Sequence, residues 1–213
     1  LTAIGEMQGV CMSDAGEVCV GGATTHATVA REATAYPGLA AMAARIGDPA
    51  VRNRGTIGGS LANNDPSACY PAAALASGAS IITNSREIAA DDYFQGMFTT
   101  ALEEGEVVTE VRFPVPEKSH YEKFVQPASR FALVGVMVAK YADGVRVAVT
   151  GASESGVFRW TEAEAALSAN FTADALGDLS LDGDGMIADL HGSGAYRAHL
   201  VKVMTGRALK AAI

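Results

Sequence analysis

Arg52-Asn53-Arg54-Gly55-Thr56-Ile57-Gly58-Gly59-Ser60-Leu61-Ala62 is the stretch that most restricts how this chain folds. Its glycines and hydroxyl residues make Thr56 to Leu61 too polar and too pliant for a core strand, so a tight loop is expected there. Glycine lets the backbone turn sharply and approach another group, and successive N–H groups in such a turn can converge on an anion. The hydroxyls of Thr56 and Ser60 add donors, and Arg52 and Arg54 flank the turn. The competing reading is a turn that simply needs unusual backbone angles. The spacing matches neither the dinucleotide fingerprint, with glycine at alternate positions between a strand and a helix, nor the phosphate loop ending in Gly-Lys-Ser/Thr. A Rossmann dehydrogenase or a nucleotide hydrolase is disfavoured accordingly.

Around this run the pattern alternates between short strands and helices. Met7 to Met12 and Val18-Cys19-Val20 read as a hairpin across the polar Ser13-Asp14-Ala15-Gly16-Glu17 turn. Thr24 or Thr25 caps a helix through Val29 and Ala33, and Pro37 opens another in which Leu39, Met42, Ala43 and Ile46 recur at helical spacing. Asp65-Pro66 reads as an N-cap with proline at the first helical position, starting a helix through Ala72, Leu75 and Ala76. Strands follow at Ala79 to Ile82, Ile88 onward and Val107 to Val115. The rhythm changes at Pro116-Glu117-Lys118-Ser119. Lys123 to Val125 starts a strand, and Leu133 to Tyr141 and Val145 to Thr150 pair across Asp143-Gly144. Thr161 with Glu164 reads as a capping box on an Ala-rich helix, and Tyr196 to Ala211 as a closing helix. Two α+β lobes meeting near residue 117 are expected.

With 213 residues, 49% of them hydrophobic, the chain can bury a core of its own. A net charge of −8 and no Lys/Arg cluster exclude a nucleic-acid footprint. No run of about 18 apolar residues reads as a membrane span. Cys11, Cys19 and Cys69 are sparse and odd in number, which suits a reducing compartment, here the cytoplasm. Neither they nor His26, His120, His191 and His199 show metal-ligand spacing. Cys69 suits a small buried hydrophobe better than a reactive thiol, and His26 suits capping or packing. Lys123 and Asp65 remain open between ligand contact and ordinary roles. No nucleophile set or acid–base pair argues for hydrolysis.

The longer run Ile46-Gly47-Asp48-Pro49-Ala50-Val51 continuing through Ala62-Asn63-Asn64-Asp65-Pro66 closely resembles the second FAD-binding motif of the medium subunit of molybdenum hydroxylases, the group of aerobic carbon monoxide dehydrogenase and the xanthine dehydrogenases. Gly21-Gly22-Ala23-Thr24-Thr25-His26, Phe113-Pro114-Val115-Pro116, Tyr121-Glu122-Lys123-Phe124, Ala128-Ser129-Arg130-Phe131-Ala132 and Ala195-Tyr196-Arg197 extend the resemblance over nearly the whole chain. It implies an α+β fold: the second lobe of a molybdopterin-dehydrogenase-type FAD-binding domain at 1–117, then a small C-terminal domain with an antiparallel sheet and helices at 118–213. It also implies cofactor contacts from Ile46, Thr56, Gly58, Gly59, Ser60, Asp65, Val108 and, more weakly, Lys123. The family carries Asp where Cys69 stands, and Phe131 matches a position where a phenol lies beside the flavin, so Phe131 could stack but not donate a hydrogen bond.

The function implied is an electron-transfer flavoprotein, and no side chain here need act as a catalytic acid or base. Electrons would come from 2Fe-2S clusters of a small partner subunit, fed by the molybdenum cofactor of a large one, and leave through FAD to an external acceptor. A dimer of heterotrimers is the implied assembly. The chain opens on Leu1 in mid-pattern, and nothing in it matches the family's first lobe with its Ala-Gly-Gly-x-Ser loop, so a fragment lacking one wall of the cleft is expected. The alternative is a FAD-poor, truncated subunit that mainly packs against partners.

Overall fold

The computed structural model describes residues 4–212, so Leu1 lies outside the described residues. β1 (Val10–Met12) and β2 (Glu17–Gly21) form the expected hairpin. Five helices follow: α1 (His26–Glu32), α2 (Pro37–Ala44), α3 (Pro49–Arg54), α4 (Ile57–Asn63) and α5 (Tyr70–Ser77). Thr25 caps α1 by accepting from the Thr28 N–H, and proline stands at the start of α2 and α3, where its missing N–H costs nothing. β3 (Ser80–Thr83), β4 (Glu87–Ala89), α6 (Ala90–Tyr93), β5 (Phe94–Gly96), β6 (Thr99–Thr100) and β7 (Val108–Pro114) complete the first half. Its main sheet is antiparallel throughout, in the order β1-β2-β7-β3-β4.

The second half holds β8 (Lys118–Val125), β9 (Ala132–Tyr141), β10 (Gly144–Ser153) and β11 (Gly156–Arg159), paired antiparallel in the order β11-β10-β9-β8. α7 (Thr161–Ala169) and α8 (Gly194–Ala211) cover one face, packing Leu167, Val201 and Met204 against Val136, Val147 and Val149. The other face turns toward the first half, where Tyr121, Met137, Ala139 and Ala148 join a core with Tyr36, Leu39, Met42, Ile57 and Leu61. The architecture is α+β, with helices between and outside the two larger antiparallel sheets, beside which β5 and β6 form a small two-stranded one. Every residue of α5 is buried because both halves press on it, and Arg146 of β10 closes its C-terminus with two donors to the Leu75 carbonyl.

Three local expectations are corrected. Thr56 to Leu61 is not a loop: Thr56 caps α4 by accepting from the Gly59 N–H. Asp65-Pro66 does not start a helix. Asp65 Oδ1 takes the Ser67 N–H and its carbonyl takes the Ala68 N–H, making a turn, and α5 begins only at Tyr70. The capping box at Thr161 is absent, because the Glu164 carboxylate is spent on the Val147 N–H and the Arg159 guanidinium.

Candidate functional site

Two helix starts converge on one spot. The His26 N–H donates to the Gly55 carbonyl and the Ile57 N–H to the Thr24 carbonyl, which sets the N-termini of α1 and α4 side by side. Beneath α4, three stretches of backbone stack. Gly22 donates to the Thr109 carbonyl, and its own carbonyl accepts from the Gly58 N–H at 2.9 Å. A Cβ on Gly58 would lie 2.6 Å from the Gly22 oxygen, whereas one on Gly59 would meet only Thr56 Oγ1, at 3.1 Å. Gly58 is therefore a packing glycine, and Gly59 turns an open face outward.

That face borders a pocket of about 430 Å³ lined by Ile46, Thr56, Gly59, Ser60, Asp65 and Lys123, together with His26, Val51, Arg54, Asn63, Ser67, Cys69 and Phe131. Six of the residues singled out in the sequence are thus brought together. Gly58 and Val108 are not on the lining: Gly58 faces Gly22, and Val108 is core, its carbonyl filling the space a side chain on Gly22 would need. The anion nest expected from consecutive N–H groups does not form. Ile57, Gly58 and Gly59 donate to Thr24 O, Gly22 O and Thr56 Oγ1, and Ser60 donates to Thr56 O. The donors left facing the pocket are side chains.

Each wall has its own support. Arg52, which flanks the glycine-rich run, donates to the Ile46 and Gly47 carbonyls and so fixes the turn that presents Ile46. Arg54 stands exposed at the rim with no hydrogen-bond or ion-pair partner among the described residues. Lys123 reaches in from β8, 5% exposed, donating to the Arg45 carbonyl at 2.7 Å and lying 3.7 Å from Cys69 Sγ. An ammonium has three hydrogens, so one is free for a ligand. Thr150 Oγ1 donates to the Pro66 and Ala68 carbonyls, and the Gly151 N–H to Pro66 O, so the second sheet holds the floor beside Asp65. Val51, Ser67 and Ala68 also line the pocket without having been singled out in the sequence, and nothing in their residue type sets them apart.

His26 is more than a packing residue. It is 4% exposed, its ring lies 5.3 Å from Tyr70, and Nδ1 has no partner among the described residues. Burial pulls its pKa down to about 4. The unfolded chain, with a histidine pKa near about 6.5, takes up the proton first. Stability from this group is full above that value and is lost as pH falls toward 4. Melting curves between pH 7 and 4 should show Tm falling, with a shallower fall in His26→Gln. An identical slope in both proteins rules out His26 as a contributor.

The residues present suit a flavin dinucleotide in kind. Ile46, Val51 and Phe131 offer apolar surface for a planar ring, and Thr56, Ser60 and Asn63 offer donors and acceptors for a polar chain. Gly59 leaves room for close approach. The volume lies within the range of about 300–1,000 Å³ typical of ligand sites, enough for part of a dinucleotide.

Comparison with known proteins gives the class first. Residues 1–116 match the family described as the FAD binding domain in molybdopterin dehydrogenase, and the chain belongs to it. Its cofactor is FAD. Among relatives, the glyceraldehyde dehydrogenase medium chain of Sulfolobus acidocaldarius is 36% identical over 78% of this chain and 64% of its own length. The nicotine 6-hydroxylase medium subunit of Paenarthrobacter nicotinovorans is 34% identical over 87% of this chain and 71% of its own. The fold matches reconstituted CO dehydrogenase from Oligotropha carboxidovorans with a TM-score of 0.86 at 27% identity, covering 99% of this chain and 79% of that one. The chain thus spans about two thirds to four fifths of these relatives' lengths.

Among the described residues, no group of three or more His, Cys, Asp or Glu side chains could hold a metal ion, and no helix is long and apolar enough to cross a membrane.

Proposed function

We propose that this pocket holds the flavin-bearing part of FAD in the medium subunit of a molybdenum hydroxylase of the carbon monoxide or xanthine dehydrogenase type. The observation that carries this reading is the meeting of Thr56, Gly59, Ser60, Asp65 and Lys123 from both halves of the chain on one pocket. Ile46 and Phe131 would flank the ring, and Lys123 Nζ would give its remaining hydrogen to a ring acceptor. Thr56 Oγ1 already accepts from Gly59, so its own hydrogen is available to a phosphate or sugar oxygen, as is that of Ser60. Asp65 keeps Oδ2 for a ligand hydroxyl, since Oδ1 is engaged by Ser67. Gly58 and Val108 would act from behind, by letting α4 sit close to the Gly22 turn.

When bound, FAD would supply the redox chemistry, relaying electrons from a 2Fe-2S partner subunit, itself fed by a large molybdenum-cofactor subunit, to an external acceptor. This chain positions and shields it. The "medium chain" and "medium subunit" names of the relatives support a multi-subunit assembly, for which a dimer of heterotrimers is the expected form. The boundary between a FAD-binding domain and a C-terminal domain is proposed near residue 117, where one sheet ends at Pro114 and the next begins at Lys118. Three free thiols support a reducing, cytoplasmic setting.

Lys123→Met tests the reading. A hydrogen bond to a charged group contributes about 1.5–3 kcal/mol, so the dissociation constant for FAD should rise at least about tenfold. Flavin fluorescence titration of the purified protein reads it directly. Unchanged affinity removes Lys123 from the site, and wild-type protein that stays colourless with added FAD points to a FAD-poor packing subunit.

A further inference from the structure

Cys11 and Cys19 stand directly opposite each other in the β1–β2 hairpin, with Val10↔Val20 and Met12↔Val18 on either side. The Gly21 N–H donates to Gly9 O and the Ser13 N–H to Glu17 O. Hydrogen-bonded and non-bonded pairs alternate along an antiparallel ladder, so the cysteine pair, two residues from each of these, is a hydrogen-bonded pair. Both side chains then lie on one face, with Cα atoms about 5.5 Å apart, inside the span of about 4.4–6.8 Å that a disulfide needs. Cys11 is exposed, whereas Cys19 is 5% exposed beneath it. Among the described residues β1 is the edge strand of its sheet, with β2 as its only neighbour.

We propose that Cys11 and Cys19 are a modification site, a dithiol that a hydroperoxide converts reversibly into a cross-strand disulfide. Cys11 is the thiol an oxidant reaches. Its sulfur attacks the O–O bond of hydrogen peroxide, giving a sulfenic acid and one water. The Cys19 sulfur then displaces the hydroxyl, forming the S–S bond and a second water. Two thiols and one peroxide thus become one disulfide and two waters; each sulfur is oxidised by one electron and both peroxide oxygens are reduced. Burial, with the Glu110 carboxylate next in weight, pushes the Cys19 thiol up, which suits it to resolve the oxidised Cys11 rather than to meet the oxidant first.

The backbone also determines how labile the bond is. Opposed Cβ atoms on a ladder lie about 4.5–5.5 Å apart, at the wide end for hydrogen-bonded pairs, while a disulfide draws them to about 3.5–4.5 Å. The bond therefore forms against the hairpin's preferred spacing. Strained, exposed disulfides are the easily reduced ones, so a monothiol reductant such as glutathione reopens this one. The site opens and closes with the peroxide level, whereas a structural disulfide would stay closed.

The test uses the full chain treated with hydrogen peroxide, denatured and labelled with a maleimide. Labelling should fall from three cysteines to one, and cleavage after glutamate should yield segments 7–17 and 18–32 joined until reduced. Glutathione should restore three labels. Cys69→Ser should leave the link intact, and Cys19→Ala should halt at a dimedone-reactive sulfenic acid on Cys11. A sulfinic acid on Cys11 with Cys19 still labelled, a Cys11–Cys11 link between chains, or a link to Cys69 would each overturn the proposal.

Discussion

Arg197→Met should lower the melting temperature by about 8–16 °C, because this side chain ties three segments together from a buried position. Arg197 is 3% exposed. Its Nη1 donates to the Leu133 and Gly151 carbonyls, both at 2.7 Å, and Nη2 pairs with Asp189 at 2.7 Å. Methionine keeps much of the volume but leaves two buried carbonyls without donors, at about 1–3 kcal/mol each. Asp189 is 37% exposed and can rehydrate, so it adds little. A loss of about 4 kcal/mol, at about 2–4 °C per kcal/mol for a chain of this size, gives the expected shift. The effect should also reach the pocket. Gly151 sits at φ +81 where a Cβ would press on the Ala132 and Leu133 carbonyls, and its N–H holds Pro66 beside Asp65. Arg197→Lys should recover only part of the loss, since an ammonium lacks the fork that reaches both carbonyls and the carboxylate. A melting shift below about 3 °C for Arg197→Met, under 1.5 kcal/mol on the same scale, would mean that water replaces the guanidinium.

What could be read from the sequence was local. The β1–β2 hairpin, the Thr25 cap and the Pro37 helix start rest on interactions within a few residues and stand in the structure, as does the β9–β10 hairpin, whose turn lies one residue earlier than expected, at Ala142-Asp143, with Gly144 already paired to Tyr141. Two of the misreadings share one cause, a partner distant in sequence. Glu164 has capping-box spacing, yet its carboxylate meets Val147 and Arg159 because α7 folds back on β10 and β11. The Asp65-Pro66 start fails because Thr150 and Gly151, more than eighty residues on, hold Pro66 to Ala68 as a turn. α5 shows no amphipathic stripe because both its faces are covered, a situation that periodicity reports only as uniform alanine.

The pocket divides along the same line. Ile46, Thr56, Gly59, Ser60 and Asp65 lie within twenty residues of one another; the glycine-rich run drew attention to Thr56, Gly59 and Ser60, and the family resemblance added Ile46. Lys123 and Phe131 join them only because β8 runs beside α2 and the loop after it bends back, with the Gln126 N–H donating to Phe131 O. Their types fit many roles, and the family resemblance rather than their spacing singled them out. The glycine pair was legible as special but not for the right reason. It spares a Cβ against Gly22 on one side and keeps Gly59 open on the other.

That difference predicts opposite behaviour for two adjacent glycines. Gly58→Val places carbon 2.6 Å from the Gly22 carbonyl oxygen, and no rotamer relieves it because both contacts are main chain. Gly22 cannot retreat, since its N–H is held by Thr109 and the Val108 carbonyl lies directly behind it. α4 must therefore lift, breaking the Gly58–Gly22 hydrogen bond and moving Thr56, Gly59 and Ser60 together. Overpacking costs about 1–3 kcal/mol and the lost bond about 1 more, so Gly58→Val should both melt earlier and lose FAD affinity by about thirtyfold or more. Gly59→Ala adds a methyl whose only close neighbour is Thr56 Oγ1, so its melting curve should match the wild type within about 0.5 kcal/mol. Its FAD affinity should still fall, because the methyl occupies the open face of the pocket. Calorimetry and flavin titration on the pair separate the two roles. If Gly59→Ala binds FAD as tightly as the wild type, the face above α4 does not touch the cofactor, and the dinucleotide must run along another wall.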